Sequence, residues 1–180
     1  MIRHFVFISS IFLIQQVSGQ MYMTRSGNAT FFSKTNIEDI RAENKQVFAI
    51  IDMSKKQIAV SMLMKGFIFK KDLMQIHFNE NYVESDKFPK AVFVGDLLIT
   101  QPLSATGVNK VNISGKLTIH GITREVIVPA ELEMDGQQIN GQAKLNIKPE
   151  DYKISIPLLV RDNIAKIVEV TIHLSCSLKT

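Results

Sequence analysis

The chain has 180 residues, 46% of them hydrophobic and 21% charged, with 21 Lys and Arg against 17 Asp and Glu. These fractions exclude a disordered chain, a collagen-like repeat and a small disulfide-stapled fold, and the single Cys176 has no partner for an internal disulfide. The net charge of +4, with no Lys/Arg run longer than two residues, gives little electrostatic basis for binding nucleic acid.

The N-terminal segment predicts a secretory signal peptide. A basic start at Arg3 precedes an apolar stretch over residues 5–14, and small or tolerated residues occupy the cleavage positions before Gln20. The apolar stretch is about ten residues long, shorter than the roughly twenty that span a bilayer. We therefore expect residues 1–19 to be removed, leaving one exported domain over residues 20–180 that is not inserted in a membrane.

Downstream of this segment, apolar residues alternate with polar ones at period two, which is typical of half-buried β-strands. The alternating rows run through residues 57–65, 111–120, 126–134, 139–147 and 168–176. Shorter apolar stretches bring the total to about eight candidate strands, at residues 29–33, 47–51 and 91–100. Tight turns join consecutive strands and predict an antiparallel meander, at residues 53–56, 120–121 and 135–136.

One segment breaks this alternation and predicts a single helix inserted between strands. From Lys70 to Val83 the apolar spacing changes to three and four, which is typical of an amphipathic helix. Pro89 ends the helical segment, because the residue before a proline disfavours helical backbone. A second short helical turn is expected over residues 158–165, after Pro157. The chain contains no repeat or linker that would divide it.

Eight antiparallel strands with one apolar face close economically as a sandwich or as a barrel. The rows contain many Met, Val, Ala and Gly residues, and the chain has no Trp, which favours an interior with room for an apolar guest. The alternative interpretation of Met62 and Met64 is that they pack an ordinary core.

Residues with catalytic or metal-binding chemistry are few. His77 and Glu80 lie three apart on the predicted helix, and we interpret them as a solvated face rather than a metal site. Glu80, Glu84 and Asp86 lie near the helix end, where they either rim a pocket or form a charged turn. The chain has no Gly-x-Ser-x-Gly elbow and no glycine-rich phosphate loop. We expect no catalytic residue, no metal and no cofactor, and we expect Cys176 to be a small buried hydrophobe.

Two segments carry more specific motifs. In residues 81–93, a carboxylate-rich turn is followed by Phe88-Pro89 and a strand, and residues 117–123 read Leu-Thr-Ile-His-Gly-Ile-Thr. Both segments resemble the YceI-like family, and residues 115–126 are similar to its LTIHG-T hairpin. Arg124-Glu125 departs from the Lys-Pro pair that is common in the family. The resemblance implies an all-β fold, an eight-stranded antiparallel lipocalin-like barrel. It also implies a periplasmic or secreted protein whose apolar tunnel holds a polyisoprenoid or another long-chain amphiphile.

On this resemblance, twelve inward-facing apolar residues are candidates for the tunnel wall, and Glu80, Glu84 and Asp86 are candidates for polar groups at its mouth. The wall candidates are Ile58, Val60, Met62, Met64, Phe67, Phe93, Leu117, Ile119, Val126, Val128, Leu132 and Leu145. An isoprenoid chain buried there would gain about 0.8 kcal/mol per methylene. The expected partner is therefore a hydrophobic small molecule or lipid, held for sequestration, transport or storage.

Other functions stay open beside lipid binding. An enzyme acting on the bound isoprenoid would use one of the three carboxylates as a base, and a stress-related periplasmic protein would act through a protein partner. A homodimer is also left open. An outer-membrane barrel needs aromatic girdles, for which three Tyr and no Trp are few. Binding of nucleic acid is disfavoured, because exposed aromatics interleaved with cations are missing.

Overall fold

The structure is a computed structural model that describes residues 20–158 and 163–179. Its strands are β1 (Met21–Lys34), β2 (Asp39–Asp52), β3 (Gln57–Leu63), β4 (Ile68–Phe69), β5 (Lys90–Leu98), β6 (Val108–Ile119), β7 (Ile122–Met134), β8 (Gln138–Ile147) and β9 (Val168–Leu178). The helix α1 (Asp72–His77) continues as a π turn (Phe78–Tyr82). Short 3₁₀ turns lie at Met64–Gly66 and Pro149–Tyr152.

The sheet closes on itself as a barrel. The strands neighbour one another in the order β1, β9, β8, β7, β6, β5, β3, β2, and β2 pairs back with β1. β3 pairs with residues 48–52 of β2, and β4 pairs with Ala42 and Glu43 of the same strand. β3 and β4 are therefore one interrupted strand, and the predicted eight-stranded antiparallel barrel with one inserted helix is confirmed.

The first hairpin is longer than the predicted stretches 29–33 and 47–51. β1 and β2 have 14 residues each, and their pairing runs from Met21–Asp52 to Lys34–Asp39. Each strand has two consecutive exposed residues near its middle, and the register of β1 shifts around Gly27. These irregularities reverse the phase of the period-two pattern. For this reason, the first half of each strand, residues 21–28 and 39–46, lies outside the predicted stretches.

The helical segment lies where the spacing predicts it. Helical backbone covers residues 72–82, against the predicted 70–83, and β5 starts directly after Pro89. The second predicted helical turn, at residues 158–165, includes residues 159–162, which lie outside the described part of the chain. The 3₁₀ turn at Pro149–Tyr152 was not predicted, and it ends at Lys153, which has a φ of 54°.

The Asn44 side chain bridges the interruption between β3 and β4. Its Nδ2 donates to the Leu63 carbonyl at 2.9 Å, and its Oδ1 accepts from the Gln46 N–H at 2.8 Å. Asn44 is fully buried, and a Cβ on Gly66 would lie 2.7 Å from its Nδ2. The amide thus supplies bonds that a regular ladder would make, and Gly66 leaves the space for it.

We expect Asn44→Ala to lower the free energy of unfolding by about 2 kcal/mol or more, because two backbone groups lose their partner. Guanidinium unfolding measures this loss. Asn140→Ala is the matched control, since Asn140 is an exposed asparagine on β8 and should change stability by less than about 0.5 kcal/mol. Equal effects of the two substitutions would contradict the role given to Asn44.

Side chains fill the lower end of the barrel, which carries the turns at residues 53–56 and 135–137. Tyr22, Ile51, Ile139 and Cys176 are almost completely buried there, and the Tyr22 hydroxyl donates to the Gly136 carbonyl at 3.0 Å. Burial raises the pKa of the Cys176 thiol to about 11. Cys176 is therefore a buried structural residue, as predicted, and the lower end of the barrel is closed.

Candidate ligand cavity

A cavity of about 340 Å³ lies above this closed end. Its wall is formed by the inward rows of the strands; on β3 and the following turn, the row from Ile58 to Met64 covers roughly 20 Å of wall. The polar side chains along the cavity are few: Ser33, Glu38, His77, Tyr82 and Asn163. The interior is thus an apolar chamber with its polar groups in a minority, the usual composition of a small-molecule site.

Two glycines leave space for the aromatic ring of Phe93 at the wall of this chamber. Gly95 on β5 and Gly115 on β6 face each other in register. A Cβ on either would approach the Phe93 Cζ to 2.9 or 2.8 Å. The Phe93 ring therefore lies over the glycine pair, in space that two side chains would otherwise occupy.

Residues 64–83 and the described loop residues 153–158 and 163–167 lie at the upper end of the cavity, and we call them the roof. Phe78 of the π turn packs among Phe31, Phe67 and Phe69, with ring centroids between 5.1 and 5.8 Å apart. Lys71 pairs with Glu38 at 2.5 Å across the edge of the roof. Aromatic packing thus fixes the helical part of the roof on the barrel.

The structure places eleven of the twelve predicted wall residues along the cavity. They are Ile58, Val60, Met62, Met64, Phe67, Phe93, Leu117, Ile119, Val128, Leu132 and Leu145. Val126 does not line the cavity; it packs with Leu117, Ile147 and Tyr152 in a smaller apolar cluster. That these residues bind a ligand stays a prediction.

Several residues that line the cavity are not among the predicted wall residues. Val170 and Ile172 belong to the predicted row of the last strand, so the same alternation identifies them as inward-facing. Phe31 lies in a predicted apolar stretch that was too short to assign a face. Ile156 and Ile164 lie in the loop after β8, where no periodic signal exists.

The three carboxylates predicted at the mouth lie elsewhere: within the described residues, the cavity lining includes none of them. Glu80 is exposed on the π turn, and Asp86 pairs with Lys65 at 2.6 Å. Glu84 has a φ of 43° and points its carboxylate to the β6–β7 turn, where it contacts His120 and Lys87. The carboxylate at the cavity is instead Glu38, from the β1–β2 turn.

The two segments that carry the family resemblance meet at this point. The ring of His120 lies between Glu84 Oε2, 2.9 Å from Nε2, and the Tyr152 carbonyl, 3.0 Å from Nδ1. Both partners are acceptors, and each ring nitrogen lies within hydrogen-bond distance of one of them. The Phe88 ring meets His120 edge to face at a centroid distance of 4.5 Å. Residues 84–88, the β6–β7 turn and the 3₁₀ turn after β8 are thereby joined.

Glu84 should make the stability of the fold sensitive to acid. Hydrogen bonds from Lys87 and His120 hold the pKa of this carboxyl below its ordinary value of 4.5. Its stabilising contribution is therefore full above pH 4.5 and is lost as the pH falls through the lowered folded-state pKa. Thermal unfolding at about pH 7 and about pH 3 should show a larger drop in Tm for the wild type than for Glu84→Gln.

Glu80→Gln is the control for this comparison, because it removes an exposed carboxylate from the neighbouring turn. It should keep the acid sensitivity of the wild type. A drop in Tm that is the same for the wild type and Glu84→Gln would contradict the assignment.

Residues 20–158 and 163–179 hold no group of three or more His, Cys, Asp or Glu side chains arranged to bind a metal ion. None of the helices among them has the length and apolar content that crossing a bilayer requires.

A closed eight-stranded barrel around an apolar chamber defines the class of small barrels that can enclose one ligand. The model of the YceI-like domain matches residues 8–176, and the chain belongs to this family. None of the curated proteins compared matches the chain.

Solved structures of low sequence identity share the fold. A polyisoprenoid binding domain from Saccharophagus degradans, implicated in plant cell wall breakdown, is 14% identical with a TM-score of 0.77 over 90% of this chain and 100% of that chain. BcnA from Burkholderia cenocepacia is 20% identical with a TM-score of 0.71, over 83% and 95%. The YceI protein of Campylobacter jejuni is 14% identical with a TM-score of 0.55, over 99% and 100%.

Proposed function

We propose that the protein is an exported, periplasmic binding protein that holds one long-chain hydrophobic molecule in the barrel. The observation that carries this proposal is the apolar chamber of about 340 Å³ between a closed lower end and an aromatic roof. A polyisoprenoid or related lipid is the proposed ligand class, supported by the description of the Saccharophagus degradans domain. Export rests on the sequence pattern of residues 1–19, which lie outside the described residues.

The proposed binding mode follows from the distribution of polar groups. The chain of the ligand would lie among the inward rows, and its polar end would lie near Glu38, His77 and Tyr82 under the roof. Ten buried methylene equivalents would contribute roughly 8 kcal/mol, which corresponds to a micromolar Kd before the entropic costs of binding. The apolar wall is therefore the main source of affinity in this binding mode.

Binding without catalysis is the function favoured by the position of the carboxylates. The enzyme alternative would need Glu80, Glu84 or Asp86 as a base beside the bound lipid. Glu84 and Asp86 are engaged in ion pairs, Glu80 is exposed, and none of the three lines the cavity. We therefore propose sequestration, transport or storage as the role.

Isothermal titration of delipidated protein with geranylgeraniol tests the proposal. We expect one saturable site and a negative heat-capacity change, because apolar surface is buried. Geraniol, which has the same head group and a shorter chain, should bind more weakly. Absence of saturable binding to a protein that is folded by circular dichroism would contradict the proposed function.

A further inference from the structure

The ladder between β7 and β8 stops halfway up the barrel. The two strands pair only from Met134–Ile139 to Ala130–Ala143. Above this point β7 remains paired with β6, and β8 remains paired with β9, but the two strands are not paired with each other. Pro129 stands where the pairing ends, and proline has no N–H to donate to a ladder. We call residues 126–129 and 144–147 the β7–β8 seam.

A groove that is open to solvent lies along the β7–β8 seam and is lined by these eight residues and Glu169. Val128, Leu145 and Ile147 also line the main cavity, so side chains alone separate the two spaces. Val126, the one predicted wall residue outside the main cavity, lies here.

The β7–β8 seam is framed by hydrogen bonds at both ends. Below it is the Ala130–Ala143 pair. Above it, Arg124 Nε donates to the Asp151 carbonyl at 3.0 Å, and His120 Nδ1 lies 3.0 Å from the Tyr152 carbonyl. Between these ends the seam is closed by apolar packing around Ile147. Passage through it needs side-chain movement and no loss of β7–β8 ladder bonds.

In the described part of the roof, several contacts oppose an opening at the upper end. Opening it requires Phe78 to leave the four-ring cluster and Lys71 to separate from Glu38. In addition, the Ala165 N–H donates to the buried Ser33 hydroxyl at 2.8 Å, which ties the loop after β8 to β1. The β7–β8 seam has no comparable ring cluster across its two strands.

We propose that the β7–β8 seam is a side opening of the ligand cavity, through which the apolar chain enters and leaves. This inference rests on the proposed function. The outer side of the seam suits such a ligand, because Ile127 is 67% exposed and lies beside the exposed Pro129. The Lys144–Glu169 ion pair, at 3.0 Å, lies on the opposite edge, where it can contact the polar head group while the ligand passes.

Crosslinking across the seam tests this inference. Ile127→Cys and Asn146→Cys place two exposed thiols on its opposite edges, and a short bis-maleimide can join them. Cys176 is 0% exposed, so it does not compete for the reagent. After loading with radiolabelled geranylgeraniol, transfer to phosphatidylcholine vesicles should slow by about tenfold or more on linking, with the equilibrium amount bound unchanged.

The matched control joins the same two strands below the seam. Glu131 and Gln142 are exposed and directly paired, so Glu131→Cys with Gln142→Cys accepts the same linker without covering the seam. This linked protein should transfer the probe at the unlinked rate. As a second variant, Val126→Trp places a larger side chain in the groove of the seam and should also slow transfer.

Two outcomes separate this inference from the proposed function. Normal uptake of geranylgeraniol followed by unchanged transfer after linking at Ile127 and Asn146 overturns the side opening alone. Failure of the unlinked protein to take up the probe overturns the proposed function and the side opening together.

Discussion

Leu117→Trp is expected to weaken the binding of geranylgeraniol by roughly 50-fold. Leu117 lines the cavity and is 8% exposed, so the larger indole must extend into the space that the ligand occupies. If the indole displaces about three methylene equivalents of the ligand, each worth about 0.8 kcal/mol, the loss of binding free energy corresponds to this factor. Isothermal titration of delipidated wild type and variant measures it directly.

Val94→Trp is the matched control for Leu117→Trp. Val94 lies on the neighbouring strand β5, faces outward and is 55% exposed, so the added ring enters solvent. Met62→Trp provides a second occluding variant from β3, with Leu63→Trp as its outward-facing control. Unchanged affinity in both folded occluding variants would show that the ligand binds outside the cavity.

Phe78→Ala is expected to lower the free energy of unfolding by about 3 kcal/mol and to release the roof. Phe78 contacts three other rings, and it is the aromatic side chain by which the π turn packs into that cluster. Its loss leaves a cavity between the helical segment and the barrel. Hydrogen exchange should therefore accelerate over residues 72–83 more than in the strands.

Leu73→Ala is the control on the same helix. Leu73 is 62% exposed, so its truncation should change stability by less than about 0.5 kcal/mol. Exchange rates in residues 72–83 that remain at the wild-type level in Phe78→Ala would contradict the anchoring role of the ring.

The period-two rows predicted the strands best where the ladder is regular. β6 and β7 pair without interruption from Val108–Glu133 to Ile119–Ile122, and the predicted rows at residues 111–120 and 126–134 cover most of both strands. The turn between them needs two residues with positive φ, and His120-Gly121 provides them at 50° and 72°. β1 and β2 were only partly predicted, because bulges interrupt their alternation.

The cavity was predictable to the extent that it is built from strands. An inward row follows from alternation alone, which explains why eleven of the twelve wall candidates line the chamber. Local spacing does not encode how the segment after the helix turns back to β5. This path sets the positions of Glu80, Glu84 and Asp86. Glu38 and Ile156 come from loops, so their place at the cavity depends on long-range packing.

Mass spectrometry of a lipid extract from the protein, purified out of its own cells without detergent, shows whether the barrel holds a lipid. We expect about one long-chain apolar molecule per protein, strongly reduced in Leu117→Trp and retained in Val94→Trp. A wild-type protein that is folded and carries no such molecule, or an equal lipid content in Leu117→Trp, would contradict this expectation.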